Sequence, residues 1–508
     1  MVPRCASVLL LTLVVVALLA LGTMSFFERM FAEHRAARAF GRQLQARHLA
    51  ESGVEYLKFV LMQEPIQIQQ SGGLFANPDA FQGQMVIEDP LPAFRGRFTI
   101  IAPDLTTGGY YSGIRYGLEN ESARLNLNTV LLADSVEDDG ARTVLLTLPG
   151  MTESIADAIL DWIDTDEEPR LLGAERDYYS SLDPPYAPRN GPLHSIEELL
   201  LVRDVTPALL FGADLDRNSL VAAAEEPFTI IDNVDNSAGT LNRGWAAYLT
   251  LDSAEKNVRA DGQPKIDINM QDLEELHTQL TAVLDQEMAT FIVAFRQGGA
   301  YEGEEVAQPA SGLNIDFEQQ GSQRFASVLD LIGANTRVVQ VGQTERTVVQ
   351  TPFPDEPSAM QSYLPQLMDN LAVNASPTIP GRLNINQAPR ALLSGVPGLD
   401  PAAVEQIIAN RDVTLGDEQP DQAYETWLLM QRVVELEDMK KLMPLITAGG
   451  SVYRAQIVGY FEAEGPAARI EVVIDATETP AIVRRRRELT ELGPGYSLET
   501  LGAAADAP

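Results

Sequence analysis

Cysteine is nearly absent. The chain has one, Cys5, so the remainder can form no disulfide and no cysteine zinc site. Histidine is scarce too: His34, His48, His194 and His277 are scattered and carry no metal-ligand spacing. Positive charge is in short supply, with 37 Lys and Arg against 72 Asp and Glu and a net charge of −35. A polyanion is a poor partner for nucleic acid, because neutralising phosphate dominates that affinity. Catalytic signatures are missing as well. There is no Gly-x-Ser-x-Gly elbow, Walker loop or dinucleotide fingerprint, so no catalytic or cofactor-binding residue is assigned. Long apolar runs are lacking except for one, Val8 to Leu21, which holds no charge.

That run opens the stretch around which the chain is organised. No proline interrupts residues 23–64, and Ala, Arg, Glu, Gln, Leu, Phe and Met predominate there. Ala50, Val54, Leu57 and Leu61 share one helical face, and Glu64-Pro65 supplies the stop. The pattern predicts one helix of about 55–60 residues, roughly 85 Å long, whose first third is the length of a bilayer span. Three readings of it stand: a cleaved signal, a plain anchor, and an anchor that also packs into an assembly. Arg35, Arg38 and Arg42 follow the span and only Arg4 precedes it, against the usual charge bias. Large domains translocate regardless of such charge, which places the bulk outside the cytoplasm.

Residues 85–124 change character. Arg97–Ile101 and Tyr110–Tyr116 are β-branched and aromatic, punctuated by Pro and Gly, and read as short antiparallel strands beside the helix. Arg124-Leu125-Asn126-Leu127-Asn128 then opens an internal repeat. It returns as Arg382-Leu383-Asn384-Ile385-Asn386 and, loosely, as Lys265-Ile266-Asp267-Ile268-Asn269. Alternation sets Asn126 and Asn384 on one side of a strand, positioned to bond neighbouring backbone. Two copies precede Pro-Gly turns, Pro149-Gly150 and Pro397-Gly398, with amphipathic helices behind them. These units resemble half of a helix-hairpin-helix. The second hairpin glycine of the DNA-gripping form is missing, and acids surround both, so they read as packing modules.

Asp161 to Glu168, then Glu175, Asp177 and Asp183, form an acidic loop. Clustered carboxylates suit Ca²⁺, which takes six to eight oxygens; a solvated acidic surface accounts for them equally well. Ser195–Arg203 and Leu273–Arg296 are predicted helices, and 298–312 and 340–380 long loops. Residues 453–462, 468–474 and 481–488 are predicted strands. The Arg484–Arg487 run reads as a solvated strand, and residues 491–508 as a disordered tail.

The ordered string Ala50-Glu51-Ser52-Gly53-Val54-Glu55, Arg124 to Asn128, Asp161-Trp162-Ile163-Asp164-Thr165-Asp166, Gly173-Ala174-Glu175, Tyr178-Tyr179, Asn190-Gly191-Pro192-Leu193, Glu197-Glu198-Leu199 and Val202-Arg203-Asp204-Val205 resembles a known family. That family is the minor pseudopilin K component of bacterial type II secretion systems. The resemblance implies an α+β fold: a pilin helix, a small antiparallel pilin-like sheet, and a large helical domain inserted between its strands. The expected division is leader and transmembrane segment 1–24, exported half-helix 25–64, first strands 65–122, inserted domain with two repeated modules 123–450, second strands 451–490 and tail 491–508. It further implies a non-enzymatic protein with a single inner-membrane span and its bulk in the periplasm. Its partners would be other minor pseudopilins at a pseudopilus tip, together with secreted protein substrates, and no nucleic acid. In that family the inserted domain binds calcium; on this chain Asp164, Asp166, Glu175 and Asp177 would be its ligands. Two departures from the family pattern stand out. Arg4-Cys5-Ala6-Ser7 occupies the place where prepilin peptidase cuts after glycine. Leu10 or Leu11 falls where major pseudopilins carry glutamate, an absence that K components share. The rival reading is a membrane-anchored helix-hairpin-helix protein that handles DNA.

Overall fold

The computed structural model describes residues 5–222, 225, 229–412, 420–463 and 465–503. Arg4 of the leader and residues 504–508 lie outside the described residues. A single helix runs from Cys5 to Leu61, 57 residues. Its segment Val8–Leu61 is long and apolar enough to cross a membrane. Its first half stands free, with the side chains of Val8 to Phe31 exposed. The second half buries Ala46, Leu49, Ala50, Val54, Leu57 and Leu61. They pack on Phe98, Ile100, Ile457, Ile470, Val472 and Ile474. At Gly459 a Cβ would lie 2.2 Å from the Ala46 carbonyl oxygen, so only glycine lets helix backbone and sheet meet there.

The sheet is antiparallel, in the order Gln84–Ile87, Gly96–Leu105, Val452–Phe461, Ala468–Asp475, Ile482–Glu488. Tyr111–Tyr116 extends the second strand's pairing, and Glu119–Asn120 pairs with the third. Ile101 is opposite Gln456 and Gly96 opposite Phe461. Strands before and after the inserted modules are therefore direct neighbours.

The insertion holds three copies of one unit, where the sequence pattern identifies two modules and a loose echo. Each opens with a two-residue strand that pairs in parallel with a closing strand. Leu125–Asn126 pairs with Leu249–Thr250, Ile266–Asp267 with Leu371–Ala372, and Leu383–Asn384 with Ile446–Thr447. In each, the first polar side chain accepts from the backbone N–H two residues on: Asn126 from Asn128 (3.0 Å), Asp267 from Asn269 (2.9 Å), Asn384 from Asn386 (2.9 Å). Asn126 also donates to Ser253 Oγ at 3.0 Å, a bond within the insertion. The second asparagine clasps distant backbone. Asn128 exchanges bonds with Leu193, and Asn269 with Phe325, while Asn386 donates to Gln422 and Ala448. A capped helix follows in every copy. Thr152 caps Glu153–Ile163, Asp285 caps Gln286–Gly298, and Asp400 caps Pro401–Asn410.

Three expectations are corrected. Leu273–Arg296 is two helices, Leu273–Thr281 and Gln286–Gly298, because Asp285 starts a new one with its side chain on Met288 N. Within 340–380 lies the helix Pro357–Asn370, whose Met360, Tyr363, Leu364, Leu367 and Met368 bury one face. Up to residue 503 the tail is ordered. Tyr496, Leu501 and Ala503 cover Ile101, Val458 and Tyr460 on the outer face of the sheet. Thr99 Oγ1 and Tyr116 Oη donate to the Leu501 and Thr500 carbonyls at 2.7 and 2.6 Å.

Sheet and insertion join through buried charge. Arg124 pairs with Glu119 at 2.5 Å, and Arg454 pairs with Glu121. Thr250 Oγ1 donates to Glu121, so the strand that closes the first copy reaches the same carboxylate. Burial alone would raise Glu119 and Glu121; the Arg124 and Arg454 charges instead hold both below the usual carboxylate range. Arg454→Met leaves Glu121 buried without its guanidinium and should cost about 3–5 kcal/mol. Adding Glu121→Gln should restore much of that loss. Urea unfolding of the detergent-solubilised chain measures both; a single-variant cost under about 1 kcal/mol contradicts the assignment.

Candidate cation site

The helix Glu153–Ile163 carries Asp157 and Asp161 one turn apart, and Asp164 ends it as its C-cap. Asp157 is fully buried against Arg142, with both oxygens at 2.7 Å from the guanidinium. Leu172 N also donates to it (3.1 Å), fixing the returning loop. Arg203 fastens that loop again, donating to the Gly173 carbonyl (2.9 Å) and Ser154 Oγ (2.8 Å). Behind the loop Trp162 stacks edge-on to Tyr179, with centroids 5.0 Å apart. A Cβ on Gly173 would fall 1.8 Å from Asp161 Oδ2, so the glycine lets loop backbone lie against that carboxylate.

This scaffold brings together Asp161, Asp164 and Glu175, one ligand atom from each lying within 4.8 Å of the others. Arg170 donates to Asp161 Oδ1 (2.9 Å) and Asp164 Oδ2 (2.5 Å) through one nitrogen, Nη1. Glu175 is 4% exposed, and neither of its oxygens has a hydrogen-bond partner among the described residues; Asp164 Oδ1 has none either. Burial, then the Asp161 and Asp164 charges, push Glu175 up to about 7. Asp164 is raised by burial, against the pull of Arg170.

The expected set was Asp164, Asp166, Glu175 and Asp177. Asp164 and Glu175 lie in the trio, which Asp161 completes. Asp166 is exposed and accepts from Glu168 N at 2.8 Å, so its carboxylate turns back on its own loop. Asp177 is exposed on the first turn of Arg176–Ser180. Neither belongs to the trio.

A second trio, Asp214, Asp216 and Glu225, went unread in the sequence. Its signal is Asp214-x-Asp216-x-Asn218-Ser219 with Glu225 in the twelfth place, the EF-hand order. Ser219 stands where that loop has glycine and takes φ 66°, the conformation the glycine supplies. Asp214 accepts from Asn218 N and Ser219 N, and burial pushes it up to about 6. The loop leans on the sheet: Asn218 donates to the Gly495 carbonyl at 2.7 Å.

Hard oxygen donors without thiolate or imidazole suit Ca²⁺ or Mg²⁺, not Zn²⁺. The first trio fits a divalent ion on its own evidence, since a buried carboxylate with no partner lacks a compensating charge.

These features define an α+β protein: a span-length N-terminal helix packed on an antiparallel sheet, with repeated helical units inserted between its strands. Residues 123–211 match the family model described as Type II secretion system (T2SS), protein K. This segment contains the first trio; the second lies beyond it. No curated protein sequence matches the chain. A solved structure it resembles is the crystal structure of the GspK-GspI-GspJ complex from enterotoxigenic Escherichia coli type 2 secretion system. The identity is 12% over 91% of this chain and 99% of that one, with a TM-score of 0.30.

In the fold Glu175 keeps its proton to about pH 7, and an unfolded carboxyl loses it near 4.5. The folded chain binds more protons across that window, so this group's contribution to stability falls as pH rises through it. A divalent ion held by the trio would take the proton's place. The rise in Tm produced by millimolar Ca²⁺ should therefore be larger at about pH 8 than at about pH 5.5. In Glu175→Gln the rise should shrink and lose its pH dependence. An increase equal at both pH values, or undiminished in the variant, contradicts the assignment.

Proposed function

We propose that this chain is a non-enzymatic minor pseudopilin of a type II secretion system. It is anchored in the inner membrane by its single apolar helix, with its bulk in the periplasm, and joins other minor pseudopilins at the pseudopilus tip to support protein export. The observation that carries the reading is the protein K match over residues 123–211. The helix supports it: Val8 to Phe31 leave a long apolar surface exposed, without a partner among the described residues, as an assembly helix requires. The absence of charge from Val8 to Leu21 fits a span that pairs with no neighbour's charged group.

The reading extends to calcium, held by Asp161, Asp164 and Glu175 and, at a second position, by the Asp214–Glu225 loop. Bound there, the ion offsets the mutual repulsion of the carboxylates and joins the helix end to the returning loop. At the second position it joins the loop that leans on the sheet. Its role in this reading is structural.

Full-length chain in detergent should co-purify with the I and J minor pseudopilins of its own secretion system. Deleting its gene should stop export of that system's substrates, and the full chain should restore it. No complex, together with unchanged export in the deletion, overturns the proposal.

A further inference from the structure

The first trio already holds a cation of its own. Arg170 Nη1 bridges Asp161 and Asp164 at 2.9 and 2.5 Å, and its side chain is 26% exposed. A guanidinium does not lose its proton in proteins, so this charge is permanent. Three carboxylates face one positive charge, and the one left over, Glu175, is the one with no hydrogen-bond partner among the described residues. One arginine thus neutralises a third of the site.

A calcium ion binds carboxylate oxygens at about 2.3–2.6 Å. Nη1 occupies the space between the two oxygens such an ion would take, and two cations that close repel strongly away from bulk water. The loop is built for one of them to leave. Thr165 to Pro169 are exposed and Leu171 is 91% exposed, whereas Leu172 and Gly173 are tied down by Asp157 and Arg203. The Arg170 backbone stays fixed, its N–H 3.2 Å from both Asp161 oxygens and its carbonyl accepting from Gly173 N at 3.0 Å, so only the long, partly exposed side chain has to swing.

We propose that Arg170 is a tethered counter-ion that competes with Ca²⁺ for Asp161 and Asp164. It holds the acidic trio together before the ion arrives and sets the concentration at which the ion replaces it. Ion entry swings the guanidinium outward, so the surface beside the site differs between the two states. This rests on the calcium reading above and adds an exchange to it. Apparent affinity falls by the fraction of molecules in which the site is free. If Arg170 fills it nine times in ten, its removal tightens binding about tenfold.

The test is calorimetric titration of Ca²⁺ into chelator-stripped, detergent-solubilised full-length chain. Heat that disappears in Asp161→Asn is assigned to this site. Arg170→Gln should lower its Kd about tenfold. It should also lower Tm in chelator relative to the unsubstituted chain, and saturating Ca²⁺ should remove that difference. Arg170→Lys keeps the charge without the planar fork and should fall between the two, which separates competition from a general defect in folding. An unchanged or higher Kd in Arg170→Gln, with binding still abolished in Asp161→Asn, overturns the exchange and leaves the calcium reading standing. No Asp161-dependent heat in any of the proteins overturns both.

Discussion

Two buried ion pairs at the neck of the insertion decide whether sheet and modules act as one body. The chain leaves the sheet at Glu119–Asn120 and re-enters it at Val452. Between those points lie more than three hundred residues, a closure whose entropic cost grows only slowly with length. What the joint must supply is rigidity. Arg124 on Glu119, and Arg454 on Glu121, place departing and returning backbone on shared charge. Thr250 on Glu121 adds the closing strand of the first copy. Buried pairs of this kind contribute little net stability but are costly to break singly. They therefore fix one relative position and penalise all others.

The same device recurs inside the insertion. Arg382 stands before its asparagine strand as Arg124 does, and it pairs with Glu255 and Glu425. Thr447, on the closing strand, donates to Glu255 at 2.7 Å, as Thr250 does to Glu121. Each unit is thus a short parallel strand pair with an asparagine clasp at its back; the first and last carry a buried guanidinium at the mouth, and the middle one carries Lys265 there, donating to the Met368 carbonyl at 2.7 Å. A two-residue strand cannot hold itself together. The clasps supply what the ladder lacks, because each buried amide satisfies backbone groups that would otherwise be stranded. The middle unit lacks the Pro-Gly turn yet keeps the clasp, which argues that the asparagine is the indispensable part.

This explains what was legible in the sequence and what was not. The helix could be read because its apolar spacing at Ala50, Val54 and Leu57 survives any tertiary context. The asparagines could be read because alternation fixes their side. The middle unit was obscured where Thr281-Ala282-Val283-Leu284-Asp285 replaces the Pro-Gly turn, so two helices read as one. The tail was misread because Tyr496, Leu498 and Leu501 are spaced among Gly, Ser and Glu, and their anchor is a distant sheet face. At the acidic loop, density concealed identity. Asp161 and Asp166 look alike in sequence, and only the helix register buries the one and exposes the other. The Asp214 loop escaped because serine stands where the motif calls for glycine.

Scarcity of positive charge gives each arginine unusual weight. Arg484 to Arg487 lie on the outermost strand, where an unpaired edge invites further strands. Their side chains alternate. Arg484 and Arg486 reach Asp475 and Glu51, while Arg485 and Arg487 reach Asp252 and Glu197. The edge strand is thereby fastened to the long helix on one face and to the insertion on the other. Each of the four guanidiniums thus has a carboxylate partner, which argues against reading the run as an anion site. The carboxylates outnumber every available guanidinium. The surplus therefore has to be solvated, protonated or paired with an ion from solution. Most of it takes the first course on the surface. Glu175 is denied that course by its burial, which leaves it protonation or an ion from solution.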